Sequence, residues 1–325
     1  MSDQTFFGTV RDVLALGLNT NSYKFALLRA LTHWGKAGHR DDLVPREWLA
    51  ERFLEFYWPL ANRFRIRQST DPTKEPVAWK LSRQEAERYG LSPRTSAAEY
   101  KGRFGREASA LVQRLADRGG CLDEVLPRFH VLPRGRRRPQ PLFHLERGEV
   151  PRLVDDVPRF LTTYADVLEL LAVGAWVRFT EQYSSTPRLF EKLAGTKTER
   201  RTLAPYRTFL EVHDGDRCFY CNGAADGSWA VDHFLPWSFV YEDRAWNLVL
   251  ACGACNSRKS DGIPRMNMLE QLLDRNRRVL ALAPASLPPK IRTDLREWRD
   301  LDLGAHIRQL HATAVSEGFL EWVGR

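Results

Sequence analysis

Two cysteine pairs constrain this chain more than any other feature. Cys218 and Cys221 form one C-x2-C, Cys252 and Cys255 form another, and thirty residues separate them. Pairs this tight place four thiolates within reach of one tetrahedral Zn2+. Two disulfides, or four unrelated buried cysteines, are the alternative readings. Disulfides fit poorly with a start, Met1-Ser2-Asp3-Gln4, that has neither the basic nor the apolar part of an export signal. The compartment expected is therefore a reducing cytoplasm. Cys121 is the odd cysteine and reads as a small buried apolar residue. A zinc ribbon needs fewer intervening residues, so the stretch between the pairs should carry something besides the metal.

Trp229-Ala230-Val231-Asp232-His233 reads as a short strand, stopped by Pro236. Trp246 to Ala251 reads as a second strand, after a loop from Trp237 to Arg244. Asn256-Ser257-Arg258-Lys259-Ser260 begins a short helix, which Gly262 and Pro264 end. The local pattern is strand, loop, strand, helix, with the metal tying the ends. A unit this small buries too little apolar surface to hold itself together, and a structural ion supplies the missing folding free energy.

The pattern C-x2-C, D-H-x2-P, N-L-x3-C-x2-C-N-x2-K, from Cys218 to Lys259, resembles the HNH endonuclease family in its zinc-bound ββα-metal form. The resemblance implies that His233 is the general base. It implies that Asp232 and Asn256 hold a divalent ion, and that Asn247 orients the histidine. Asn256 stands where many members have a histidine, a variation the family tolerates. Glu242-Asp243 occupies a loop position where a glycine pair is often found.

The chemistry is coherent on its own terms. An imidazole with a pKa near 6.5 is largely neutral at pH 7 and can take a proton from water. Oxygen donors from Asp232 and Asn256 suit Mg2+ or Mn2+, whereas thiolates suit Zn2+, so two chemically distinct metal sites are expected. Taken alone, His233 reads as a hydrogen-bonded structural histidine, and Asn247 and Asn256 as turn or cap asparagines. Arg258 and Lys259 either reach a flanking phosphate or form a solvated helix face.

The remainder reads as helix. Asn21-Ser22 caps an apolar run from Tyr23 to Trp34, and Pro45 opens a second helix that meets Pro59. Ser82 reads as a helix N-cap. Phe143-His144-Leu145 reads as a strand. Arg134, Arg136, Arg137 and Arg138, around Gly135 and between Pro133 and Pro139, form an exposed basic loop. That loop either binds phosphates or is simply solvated. His130 and His144 read as structural. Helical segments follow from residue 155 to 212, then Met268 to Leu282, a Pro-rich linker from Pro284, and a last helical stretch from Ile291 to Trp322.

The fold class expected is mainly α with a small α+β unit, the ββα motif being embedded in a helical scaffold. Expected domains are 1–81, 82–204, 205–264 and 265–325. A net charge of +8 and a pI near 9.4 agree with a polyanionic partner. No apolar run is long enough to span a membrane. The function expected is a metal-dependent endonuclease on double-stranded DNA, acting as a homodimer or with a partner protein. Restriction or anti-phage defence is expected by analogy alone. A zinc-stabilised nucleic-acid-binding protein without turnover is the alternative.

Overall fold

Caps and prolines cut the first part of the chain into helices. In the computed structural model, which describes all residues except 18, 40, 148, 196–201, 225–228, 283–286, 297–301 and 325, the chain forms two compact units. The first comprises residues 1–184 and 189–196, the second 185–188 and 197–325.

In the first unit, Ser2 caps α1 (Asp3–Leu16) by accepting from the Thr5 N–H. The apolar run after Ser22 becomes α2 (Tyr23–Lys36), buried around most of its circumference. Pro45 precedes α3 (Arg46–Asn62), which passes through Pro59 and ends just beyond it. Next come α4 (Val77–Arg88), α5 (Ala97–Arg103), α6 (Gly105–Ala116) and α7 (Cys121–Val125). Ser82 is not a cap: Pro76 starts α4 earlier, and the Ser82 hydroxyl donates to the Ala78 carbonyl inside the helix. β1 (Phe143–Glu146) pairs antiparallel with β2 (Val150–Leu153). The second of these was hidden in the sequence because Pro151 argues against a strand. The unit closes with α8 (Val157–Thr163), α9 (Ala165–Thr180) and α10 (Leu189–Ala194). Its core is aromatic: Tyr23, Phe53, Tyr57 and Trp176 are fully buried, and the Trp176 indole N–H donates to Gln68 Oε1.

The second unit begins with α11 (Ala204–Asp214). β3 (Trp229–His233), α12 (Trp237–Val240), β4 (Leu248–Cys252) and α13 (Gly253–Lys259) follow. β5 (Ile263–Pro264), α14 (Met266–Leu280), α15 (Pro289–Arg296), α16 (Leu303–Ser316) and β6 (Glu321–Trp322) complete it. β3 and β4 are antiparallel, with Trp229 opposite Cys252 and His233 opposite Leu248. Residues 321–322 form a strand, not the end of a helix: β6 lies parallel to β5, Ile263 opposite Glu321. α11, α14, α15 and α16 pack their apolar faces into one core with β4 and with Phe234, Phe239 and Trp246.

The chain is mainly α with a small α+β unit, as its pattern implies. Most of the basic segment from Gly195 to Arg201, part of the Pro-rich linker, and Trp298 and Leu301 lie outside the described residues. Among the described residues, no single helix is long and apolar enough to cross a membrane.

Candidate active site

The four cysteines come together. The sulfur atoms of Cys218, Cys221, Cys252 and Cys255 all lie within 4.8 Å of one another, and none forms a disulfide. Four thiolates around Zn2+, each about 2.3 Å from the ion, would be separated by somewhat less than that. The donor set therefore fits a structural metal ion such as zinc. A turn carries the first pair, the end of β4 and the first turn of α13 the second, so one ion would join the two ends of the motif. The Gly223 N–H lowers the Cys221 thiol to about 7. Burial raises Cys218 and Cys255.

His233 ends β3, with its side chain largely buried. Its Nε2 lies 2.8 Å from Asp243 Oδ1. The loop that carries Asp243 is pinned. The Tyr206 hydroxyl donates to the buried Asp294 carboxylate at 2.6 Å and lies 3.0 Å from the Asp243 carbonyl, and Asp294 also accepts from the Ala245 N–H at 3.4 Å. Asn247, fully buried, does not bond the imidazole directly. Its Oδ1 accepts from the Leu235 N–H at 2.8 Å and its Nδ2 donates to the Leu235 carbonyl at 2.9 Å. It clamps the backbone just past the histidine.

Asp232 is held from two sides. Its Oδ2 accepts from the Tyr220 hydroxyl at 2.6 Å and pairs with Lys259 Nζ at 3.0 Å. Lys259 also donates to the His233 carbonyl at 2.7 Å. Lys259 is 2% exposed, so it is on neither a solvated face nor a phosphate-facing one. The reason is helical: as the last residue of α13 it points down onto β3. Asn256 is partly exposed and stands three residues before Lys259, a spacing that puts both on one helix face, the one turned to Asp232. It is not a cap, because Cys252 holds that position. Arg258 is exposed, and its Nε donates to the Ala254 carbonyl.

Residues 223–265 match the HNH endonuclease family. The chain carries an HNH endonuclease domain. No curated protein and no solved structure matches the chain significantly. The family match, confined to the motif, supports a nuclease of the HNH family, with nucleic acid as the class of substrate.

Asp232 and Asn256 offer oxygen donors of the kind a hard divalent cation takes. Both described contacts of Asp232 fall on Oδ2, which leaves Oδ1 for another partner. A hard divalent cation that keeps several waters fits such a sparse protein set. Two residues that hold this geometry, Asp243 and Tyr220, were missed in the sequence, and Lys259, which the sequence offers as a phosphate contact or a solvated face, turns inward. Asp243 was legible only as a departure from the glycine pair. Arg134, Arg136, Arg137 and Arg138 belong to the first unit, where all four are exposed. The root of their loop is fixed there. His130 Nε2 accepts from the Leu142 N–H at 2.9 Å, and Thr9 donates to the Gln140 carbonyl at 2.9 Å. Burial lowers His130 to about 4, which keeps it the neutral acceptor this bond requires.

Proposed function

We propose that the chain is a metal-dependent DNA endonuclease in which His233 activates the attacking water. The observation that carries the reading is the His233–Asp243 pair, 2.8 Å apart and held on a pinned loop. With Nε2–H donating to the Asp243 carboxylate, Nδ1 keeps its lone pair. Nδ1 removes a proton from water, the water oxygen bonds to phosphorus, and the bond from phosphorus to the 3′ oxygen breaks. The 3′ oxygen takes a proton from solvent water, so the products are a 3′ hydroxyl and a 5′ phosphate, and the imidazolium, stabilised by Asp243, returns its proton to solvent. Asp232 and Asn256 would hold a Mg2+ or Mn2+ ion, which supplies charge neutralisation at the phosphate. Asn247 acts by fixing the Leu235 backbone, and so the end of β3. Arg258 and the loop from Arg134 to Arg138 are the proposed phosphate contacts. Lys259 is not among them. Double-stranded DNA is the proposed substrate, cut by a homodimer or with a partner protein, and defence against foreign DNA is the proposed setting.

A second reading, binding without turnover, is favoured by one specific contact. The Lys259 ammonium already neutralises Asp232 at 3.0 Å. The two readings separate in a plasmid assay with Mg2+ or Mn2+ against EDTA, for the parent and for His233→Ala. Nicking or linearisation by the parent, reduced about 10²–10⁴-fold in the variant, supports the nuclease. Equal cleavage by both removes His233 from the reaction. Salt-sensitive DNA binding by a parent that cuts nothing supports the second reading.

A further inference from the structure

One face of α9 is apolar and open to solvent. Leu168, Ala172, Trp176 and Phe179 turn the opposite face into the core of the first unit. Val167, Leu170 and Leu171 are 50%, 59% and 41% exposed. Exposed leucines are ordinary when scattered. Three large side chains at i, i+3 and i+4 form one patch, the kind that marks an interaction surface.

The order of residues along this face fits one occupant. Asp166, Leu170, Gly174 and Arg178 follow one another at four-residue steps, so they form a single row about 18 Å long. Asp166 lies in the first turn of α9 and Arg178 in the last, and both are exposed. Gly174 is a gap in the row, because a Cβ built there would meet nothing within 4 Å. The first unit has no steric need of a glycine at this place, and a glycine inside a helix weakens it. Such a residue suits close approach by another element from outside.

From its N-terminal end the row runs acid, bulky, empty, base. From the other end it runs base, empty, bulky, acid, which is its own complement. A second α9, antiparallel and related by a two-fold axis, places Leu170 of each chain in the Gly174 gap of the other. It also pairs Asp166 with Arg178 at both ends of the row. Rows of this i, i+4 kind pack together at about −50° in the commonest class of helix crossing, and a two-fold interface must be self-complementary. Asp166 already meets Lys36 at 2.8 Å, but both side chains are exposed, and such a surface pair is weak enough to yield. α8 and α9 together also have the length and composition of a bent membrane span. The buried half of α9 argues against that occupant, and a bilayer has no use for the order of acid, gap and base.

We infer that α9 is the contact of a homodimer, two copies crossing antiparallel with Leu170 against Gly174 and Asp166 against Arg178. One helix pair buries less than the about 800 Å2 per partner of a standard interface, so the dimer is reversible and dissociates in the micromolar range. Such a contact supplies the homodimer of the proposed function, yet it depends on α9 alone and not on whether the chain cuts DNA.

The test is sedimentation of the full chain, without DNA, across the micromolar range. Gly174→Leu fills the gap without a clash inside the chain and should weaken dimerisation about tenfold or more. Asp166→Arg and Arg178→Asp each set like charges against one another at both ends of the row and should also weaken it about tenfold or more. Mixed in equal amounts, these two charge variants should associate about as tightly as the parent, since each arginine of one chain then faces an aspartate of the other. Loss of a favourable helix-dipole placement within one chain would not be repaired by mixing. Thermal melting checks that each variant folds. The assignment is overturned if the parent stays monomeric throughout that range, if the folded variants dimerise as the parent does, or if mixing restores nothing. A monomeric parent that binds phosphatidylcholine vesicles gives the face to a bilayer and overturns it as well.

Discussion

Replacing Asn247 tests how the domain holds its histidine. The Asn247 side chain makes two hydrogen bonds, at 2.8 and 2.9 Å, to the N–H and carbonyl of Leu235, a residue that is itself fully buried. Asn247→Ala leaves both backbone groups buried and unpaired. Each such loss costs about 1–3 kcal/mol, so the strand pair should open more easily by about 2–6 kcal/mol. Asn247→Leu separates the causes, because it restores the volume and not the hydrogen bonds. Hydrogen exchange in peptides covering residues 229–252 reads the effect directly. Both variants should exchange at least about 30-fold faster than the parent there, that being the lower end of the range at about 1.4 kcal/mol per factor of ten. Exchange in the first unit should not change. Restoration by Asn247→Leu would assign the effect to packing and refute the hydrogen-bond argument. Exchange within a few-fold of the parent in both variants would refute the clamp altogether.

Other perturbations have definite expected outcomes. Cys252→Ser should lower bound zinc well below one ion per chain and unfold the second unit, while the first keeps its helical circular dichroism; an unchanged metal ratio would contradict the four-thiolate site. Lys259→Met leaves Asp232 without its buried partner and should cost about 3–5 kcal/mol without added metal. The same variant should gain more thermal stability from Mg2+ than the parent does, since the ammonium no longer opposes the ion; equal gains would show that Lys259 and the ion do not share Asp232. His130 has a folded pKa of about 4 against an ordinary value near 6.5, so the unfolded chain takes up a proton first as pH falls. Its contribution to stability is complete above about 6.5 and is lost as pH falls toward 4. His130→Gln, whose amide oxygen can accept from Leu142, should flatten that part of the melting profile.

The parts legible in the sequence were those fixed by local rules. The cysteine spacing alone gave the sulfur cluster, because C-x2-C leaves little freedom in where the thiolates point. Helix starts at Tyr23 and Arg46 followed from Asn21, whose Oδ1 accepts from the Tyr23 N–H at 3.1 Å, and from Pro45; the Ser22 hydroxyl pairs with Tyr57 instead of capping. Ser82 misled because a serine inside a helix can bond back to a carbonyl as readily as cap an end. β2 and β6 were missed for opposite reasons: Pro151 argues against a strand, and Glu321-Trp322 is strand only because β5 lies beside it. The same limit applied at the site. Asp232 and His233 were legible as neighbours in a motif, but their partners Tyr220, Asp243 and Lys259 come from a turn, a loop and a helix. Only tertiary packing joins these, so a charge on paper cannot be assigned to solvent or core. Lys259 is the clearest case, a terminal helix lysine that reads as surface and is buried.

The parallel pairing of β5 with β6 has a consequence for biosynthesis. Gly262 lies so close to β6 that an added Cβ would meet the Trp322 Cβ at 2.8 Å, and the Trp322 ring packs edge-on, 5.0 Å away, against Tyr220, the donor to Asp232. A ribosome therefore translates every residue of the HNH motif well before it supplies the strand that braces one of the motif's carboxylates. Until residues 321–322 emerge, the nascent chain has the motif's sequence without the ring that packs on Tyr220.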